Sequence, residues 1–544
     1  MWRLFAFCYR NAWFVAGGFL VLTLLASTKV PDTKIEVSAD ALIPDKSAAK
    51  REYEAIRDLF GSDQVVSIHV RDAALFSSAK LEALADLNRQ LARLPQTQRM
   101  ESLFTVSNVS REDQSIESGP LFNPQAIPES PDIIQKKREQ ALNNPLFVRR
   151  ILSRDAQSTQ LSLYVKPAEE LGETDTALYL AELYQEVEQI LREFRDQFAD
   201  VYQVGAPAVQ HTIAEFIIED QRILLPVAAV FLVVLLGILL RSPSAALVPA
   251  LNAVIATAWV LGIMAWLDIP VNMLNSIVPA MLLIIGATED VHFLVEFREA
   301  RARGKPGPEA VHEVGRQIGV TLLLTGVTTT LGFSAAAMAR LDILREFGIT
   351  AGAAMFIRLL LSITLVPALV RFLFRSSRAE AAATEKEAPG RKHPRVRRMA
   401  KPYTRFIMHG VLQHPGWVIT AMVVIAVPAL FIGRNIHVGN DLVGFLKPGA
   451  EMVQQIETTG RELSGSKVIF LTLHGKPGEY RTPEGLRRVL AIKEKLAESG
   501  KLDTITTIAD YIAVLNREFR SGEPEDFVIP DNPALISQYL LFLG

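Results

Sequence analysis

Seven apolar runs govern what this sequence can fold into, because each approaches the ~20 residues needed to cross a bilayer core. They centre on residues 11–28, 222–240, 244–267, 272–297, 318–339, 346–373 and 416–433. Inside lipid every backbone N–H and C=O needs an internal partner, so such runs predict a bundle of helices. The first run, with Arg3 and Arg10 before it, has the outline of a signal peptide. LLASTKV offers no small-x-small cleavage site, so it reads as a retained helix. The overall balance agrees: 49% of the 544 residues are hydrophobic and the mean hydropathy is +0.21, too apolar for an entirely soluble chain. A net charge of -2 gives no field that would favour nucleic acid. The single cysteine, Cys8, excludes an internal disulfide and reads as a small packing residue.

Basic residues set the expected orientation, since loops on the cytoplasmic side carry the Lys and Arg excess. Arg3, Arg10, Arg241, FREARARGK (297–305) and RKHPRVRRMAK (391–401) all fall on one side of the predicted spans. That side is read as cytoplasmic, leaving the long segment 29–221 exoplasmic. Within it QVVSIHV (64–70) predicts a strand, LEALADLNRQLARL (81–94) a helix, and 146–153 with 158–165 a strand hairpin. A second long amphipathic helix is expected over 176–198, and a loop with a short helix over 120–145. This order of units predicts an α+β domain of split βαβ type.

The sequence also resembles itself. NAWFVAGGFLVLTLLAS, IEVSADALIPDKSA and FGSDQVVSIHV recur in order as PGWVITAMVVIAVPALFIG, IHVGNDLVGFLKPGAE and SGSKVIFLTLHG. Asp40 aligns with Asp441 and Pro44 with Pro448, which reads as an internal duplication whose second copy is incomplete. Counterparts of 145–375 do not follow it, so the sequence reads as a fragment, as a chain completed by a second polypeptide, or as a native seven-span protein. The expected organisation is a first transmembrane helix (1–28), an exoplasmic α+β porter domain (29–221) and spans two to six (222–375). A basic cytoplasmic linker (376–415), span seven (416–433) and the start of a second porter domain (434–544) follow.

Several stretches, taken in order, carry a resemblance to a known family: LIPDKSAAKREYEAIRDLFGSD (42–63), VGAPAV (204–209), GATEDVHFLVEF (286–297), TGVTTTLGFSAAAMARLDILREFGI (325–349) and ITLVPALV (363–370). Together they resemble the resistance-nodulation-division (RND) superfamily, in its predicted-exporter branch near MMPL and hopanoid-transporter proteins, with sterol-sensing proteins more distant. The resemblance implies a membrane α-helical bundle with porter-like domains, and proton-driven transport of a hydrophobic or lipidic substrate. It also implies a homo-oligomer or periplasmic partner proteins, and a bacterial inner membrane location with the N-terminus cytoplasmic. In many relatives an acidic pair lies in span four, shortly before a His. Counting back from His292, that pair falls on Thr288 and Glu289, with Asp290 one residue later. The carboxylates are therefore shifted in register, and either Glu289 or Asp290 is the proton carrier.

The residues themselves sharpen this expectation. Helical geometry puts Ile285, Glu289, His292 and Glu296 on one stripe and Asp290 about 100° around it. A charge at the centre of a span costs ~3 kcal/mol on insertion scales, so acids there face an interior or water unless the helix has already reached the interface. In the relay reading His292 tunes the acid, Thr328 or Thr329 hydrogen-bonds it, and Arg358 faces it as counter-ion; in the bland reading Thr328 and Thr329 pack, Arg358 snorkels, and the acids pair with Arg298 and Arg301. No cofactor or metal is expected: His211, His292, His312, His393, His414 and His437 lack paired ligand spacing, and there is no nucleophile elbow or phosphate loop. The sequence thus predicts an exporter rather than an enzyme. A lipid sensor or assembly scaffold without flux, and a protein-translocation auxiliary, are the rivals.

Overall fold

The computed structural model describes residues 1–37, 47–60, 64–112, 115–173, 175–240, 242–374, 411, 413–436, 439, 441–464, 469–500 and 502–543. Arg241, the basic stretch 391–401 and the Asp40 and Pro44 of the repeat lie outside these residues. The chain begins with the amphipathic helix α1 (Trp2–Arg10) and the apolar α2 (Ala12–Ser27). It continues through α3 (Ala48–Phe60), β1 (Val65–Arg71), α4 (Ser78–Ala92), β2 (Thr97–Glu101), β3 (Ser107–Glu112) and β4 (Ser115–Pro120). Next come α5 (Pro131–Asn143), β5 (Ser158–Val165), α6 (Thr176–Phe194) and β6 (Asp200–Gly205). The long helices are α7 (Ala206–Leu240), α8 (Pro243–Trp266), α9 (Val278–Ala302), α11 (Gly319–Ser334), α12 (Asp342–Leu373) and α13 (Pro415–Gly433), with the shorter α10 (Gly307–Gln317) among them. The last helices are α14 (Glu451–Glu462), α15 (Pro483–Ala497), α16 (Ile508–Phe519) and α17 (Pro533–Leu543).

Two compact units result, one holding Met1–Glu36 with Ile217–Asp441, the other Lys46–Phe216 with Leu442–Gly544. In the first, among the described residues, seven helices are long and apolar enough to cross a membrane, one for each predicted run. The architecture is a membrane helical bundle. Helix α12 is its most enclosed member, and a small-residue motif that sequence reading overlooked explains why. A Cβ on Gly348 would lie 2.0 Å from the Ala337 amide nitrogen, and one on Gly352 would lie 2.2 Å from Ser334 Oγ. Glycine four residues apart therefore lets α12 touch the backbone after α11, as small-xxx-small pairs do in lipid. At one end α1 packs along α10, with Phe5 buried beside Val311 and Val314.

The second unit is organised by a four-stranded antiparallel sheet in the order β2-β5-β1-β6. Val66, Ile68 and Val70 of β1 and Leu161 and Leu163 of β5 point to one face, where α4 and α6 cover them. Helix α6 presents Leu180, Leu183, Val187, Leu191 and Phe194 at helical spacing, and its first turn is capped by Asp175, which accepts a bond from the Leu178 amide at 3.1 Å. The expected hairpin between 146–153 and 158–165 shrinks to one antiparallel bridge, Leu152 with Thr159, where the Ser153 amide donates to the Ser158 carbonyl at 2.8 Å and the Gln160 amide to the Ile151 carbonyl at 2.9 Å. Residues 146–153 make a knot of turns in which the Phe147 carbonyl accepts from the amides of Arg150, Ile151 and Leu152 at 3.2, 2.8 and 3.0 Å. Arg149 adopts a positive φ of 64°, which breaks any extended run there. The full-length partners of strand β5 are β1 and β2.

The other face of this sheet is polar yet buried: Ser67, His69 and Gln160 are each at most 6% exposed. Helix α14 closes it. Glu462 at its end accepts from Arg71 and Ser158, and lies 3.3 Å from His69 Nε2. His69 stacks on Tyr202, with ring centroids 4.8 Å apart, and Tyr202 reaches Thr459 Oγ1 at 3.3 Å. The segment 442–544 contributes further: Val514 enters the core of the sheet domain, and Arg150 donates to Tyr511 Oη at 2.7 Å. Residues 469–474, read above as a repeat of β1, form no strand. Among the described residues the chain after them is helical and offers no neighbouring strand to pair with.

Burial holds the His69 imidazole below its ordinary value of 6.5, Arg71 adding to the effect while Glu462 and Asp200 oppose it. The unfolded chain therefore takes up this proton first, and the stabilisation present above 6.5 is lost as the pH falls below it. We expect the melting midpoint to fall on acidification from neutral pH, and His69→Gln to flatten that slope. Equal slopes in melts of the two proteins would remove His69 from the account.

Candidate functional site

Helix α9 carries the GATEDVHFLVEF stretch, and its neighbours decide which residues face inward. Leu282, Leu283, Gly286, Asp290, Phe293, Leu294 and Phe297 recur at helical spacing and are buried. Asp290 is thus on the packed stripe, while Ile285, Glu289 and Glu296 are half-buried and Thr288 and His292 are exposed. Three helices converge on Asp290, which is 0% exposed. Arg358 of α12 donates through Nη2 to Asp290 Oδ2 at 2.5 Å and also to the Gly286 carbonyl. Asn252 of α8 donates to the same carboxylate oxygen at 2.9 Å, and Ser362, one turn beyond Arg358, donates to Oδ1 at 2.7 Å.

Gly286 makes room for the guanidinium. A Cβ there would lie 1.9 Å from Arg358 Nε, so the Arg358 side chain lies directly against the α9 backbone. The glycine is one turn before Asp290, and the pair forms a cradle and an acceptor on the same face. Arg358 is 2% exposed, and its Nε and Nη1 have no hydrogen-bond partner. The Oδ1 of Asn252 is likewise without one. A buried pair broken from one side leaves an uncompensated charge, typically at ~3–5 kcal/mol. Here the effect lies at the high end, because the guanidinium has no second carboxylate among the described residues to turn to.

The predicted site residues separate into two groups. Asp290 and Arg358 are brought together, as the counter-ion reading of Arg358 requires. Glu289, His292, Thr288, Thr328 and Thr329 do not join them. Thr288 donates to the Ile285 carbonyl, Thr328 to Leu324 and Thr325, and Thr329 to Thr325, all within their own helices. The expected Thr bond to a span-four acid is therefore not made, since each hydroxyl is satisfied locally. Glu289 and His292 share a stripe without a hydrogen bond between them among the described residues. Arg298 and Arg301 donate to the Leu240 and Lys305 carbonyls rather than to the acids.

Sequence reading missed Asn252, Ser362 and Gly286. Asn252 had a usable signal: it is the one amide in LVPALNAVIATAWVLGIMAW, and a strongly polar side chain deep in a span needs a partner. Ser362 had a weaker one, since serine hides in a span by bonding its own helix.

Comparison with known proteins fits this geometry. A relative named "Putative membrane protein MJ1562", from Methanocaldococcus jannaschii, is 24% identical over 357 residues, covering 64% of this chain and 88% of its own. The MMPL family profile matches residues 41–405, about two thirds of the chain, from the first soluble segment through every helix that builds the Asp290 node. With seven helices fit to span a membrane and that match across the node, the chain belongs to the MMPL family, a family of RND-type membrane transporters.

Proposed function

We propose that this protein uses proton entry to drive a lipid or another hydrophobic molecule out of the bacterial inner membrane toward the periplasm or outer membrane. The observation that carries the proposal is a carboxylate at 0% exposure inside a bundle of spans, ion-paired to an equally buried arginine. Charge in that setting is costly and marks an ion pathway by default. The span-four group Glu289, Asp290 and His292 is the proton relay, with Arg358 as its counter-charge.

Orientation is supported by the gathering of basic residues at one end of the bundle. Arg371 donates to the Tyr9 and Arg10 carbonyls there, and Arg303 and Lys305 pair with Glu313 of α10. We take that end as cytoplasmic and 29–221 with 434–544 as periplasmic. A span followed by a short amphipathic helix occurs twice, as α2 with α3 and α13 with α14, which supports an internal duplication of porter domains. The substrate passes along a cleft between them, in a homo-oligomer or with periplasmic partner proteins.

The test is reconstitution of the full chain in vesicles carrying a fluorescent phosphatidylethanolamine. Imposing a pH gradient should accelerate transfer of the lipid between leaflets or to acceptor vesicles, and a protonophore should abolish the gain. Lipid-dependent binding of a partner with no flux would instead identify a sensor or scaffold, and preference for unfolded polypeptide a translocation auxiliary.

A further inference from the structure

The sheet domain holds a second charge-assisted node, away from the α9 acids. Arg71 at the end of β1 and Ser158 at the start of β5 are paired directly across the ladder, and His69 lies two residues back on the same face. All three are aimed at one carboxylate, that of Glu462 at the end of α14. Arg71 Nη1 donates to Oε1, Ser158 Oγ donates to Oε2, and His69 Nε2 lies 3.3 Å from Oε2. A guanidinium on one oxygen and a hydroxyl on the other is an arrangement that receives a carboxylate ligand. Here the carboxylate comes from the chain itself.

The donors are built into the sheet, whereas the acceptor is not. His69 is 0% exposed and Ser158 1%, while Glu462 rides on a helix end with its side chain 20% exposed. Glu462 also leaves the cradle incompletely filled. Neither ring nitrogen of His69 makes a hydrogen bond among the described residues, nor does Oε1 of Gln160, the residue opposite His69 on β5. A buried donor left idle favours any occupant that aligns with it better. The remaining polar ties of α14 to the sheet domain, among the described residues, are long. Tyr202 Oη lies 3.3 Å from Thr459 Oγ1 and 3.4 Å from the Gln455 carbonyl, and Arg149 reaches the Gly460 and Leu463 carbonyls at 3.4 and 3.2 Å. The other acids that Arg71 senses, Asp155 and Asp200, are exposed, so solvent and salt screen them.

We propose that Arg71, Ser158 and His69 form a carboxylate-binding site in which Glu462 is a built-in occupant, and that a ligand's carboxylate enters by displacing Glu462 and releasing the end of α14. The exchange replaces one anion by another, with no covalent step. It does not depend on the proton-driven reading above and is followed by binding rather than by flux.

The probe is radiolabelled dodecanoate, equilibrated with the immobilised full chain in dodecyl maltoside; excess unlabelled dodecanoate corrects for uptake by the micelle. Glu462→Gln removes the competing charge and should bind the probe about tenfold more tightly than the wild type. Adding Arg71→Met or Ser158→Ala to that variant should cancel the gain. In the wild type, dodecanoate should raise amide hydrogen exchange across residues 451–462, a measurement that needs no variant. Dodecan-1-ol, which has the same chain and no charge, should not displace the probe. Displacement by acetate as effective as by dodecanoate would support the site with a free carboxylate as its ligand, and failure of acetate would support it with an acyl-chain carboxylate. The proposal is overturned if dodecan-1-ol competes as well as dodecanoate, if a folded Glu462→Gln variant gains no affinity, or if wild-type exchange across 451–462 ignores dodecanoate.

Discussion

Replacing Asp290 by alanine while Arg358 remains is expected to destabilise the helical bundle by about 3–5 kcal/mol. The size follows from what is left behind. Arg358 would keep its charge at 2% exposure, retaining only the Gly286 carbonyl as acceptor, with Nε and Nη1 already unpartnered. Asn252 and Ser362 would each lose the carboxylate they donate to, and a buried donor without an acceptor costs a further ~1–3 kcal/mol in general. Removing both charges is the control: Asp290→Asn with Arg358→Met leaves no ion stranded and should recover most of the loss, since neutral replacements of buried pairs are often tolerated. Thermal unfolding in detergent, followed by tryptophan fluorescence, should rank wild type and double variant close together and the single variant well below. A single variant as stable as the double would mean that the pair is not enclosed.

Phe147→Ala should have a comparable effect on the sheet domain, about 3–5 kcal/mol for a fully buried phenylalanine. Phe147 is 0% exposed within the core that also holds Leu152, Leu161 and Leu163. Its carbonyl gathers three amides of the turn that follows, so its side chain fixes the position of that turn as well as filling space. Opening of the domain should rise roughly 100- to 4,000-fold, by the rule of tenfold per 1.4 kcal/mol. Because the chain has two units, a readout local to this domain reports the effect most directly. Trypsin cleavage of the full chain within 64–205 is that readout, and should accelerate in Phe147→Ala and hardly at all in Phe147→Leu.

The turn around Phe147 also shows where sequence reasoning stops. LFVRRILS has the composition of a strand, yet β1 and β2 take the two edges of β5, so only its end stays paired there, as Leu152 with Thr159. The β3 and β4 hairpin escaped notice for the opposite reason: SNVSRE and SIESGP are polar and have no alternation to detect. The spans were legible because a bilayer imposes a minimum apolar length that few soluble helices meet. Within α9 the stripe geometry correctly separated Asp290 from Glu289, yet it could not say which side is enclosed. That depends on Gly286 admitting Arg358 from α12 and on Asn252 arriving from α8, contacts spanning tens of residues. The polar face of the sheet is a similar case. Ser67 and His69 alternate with valine and isoleucine as if solvent-facing, and it is α14 that closes this face, its Glu462 reaching His69 and its Thr459 reaching Tyr202.

The central claim, that protons entering at the α9 acids drive transport, is tested most directly by counting those protons. Vesicles loaded with a pH-sensitive dye and containing the full chain should show proton entry that rises with transfer of fluorescent phosphatidylethanolamine. In the Glu289→Gln, Asp290→Asn, Arg358→Met variant, which removes every charge of the node without stranding one, lipid-linked proton entry should vanish. Undiminished proton-coupled transfer by that variant would contradict the account.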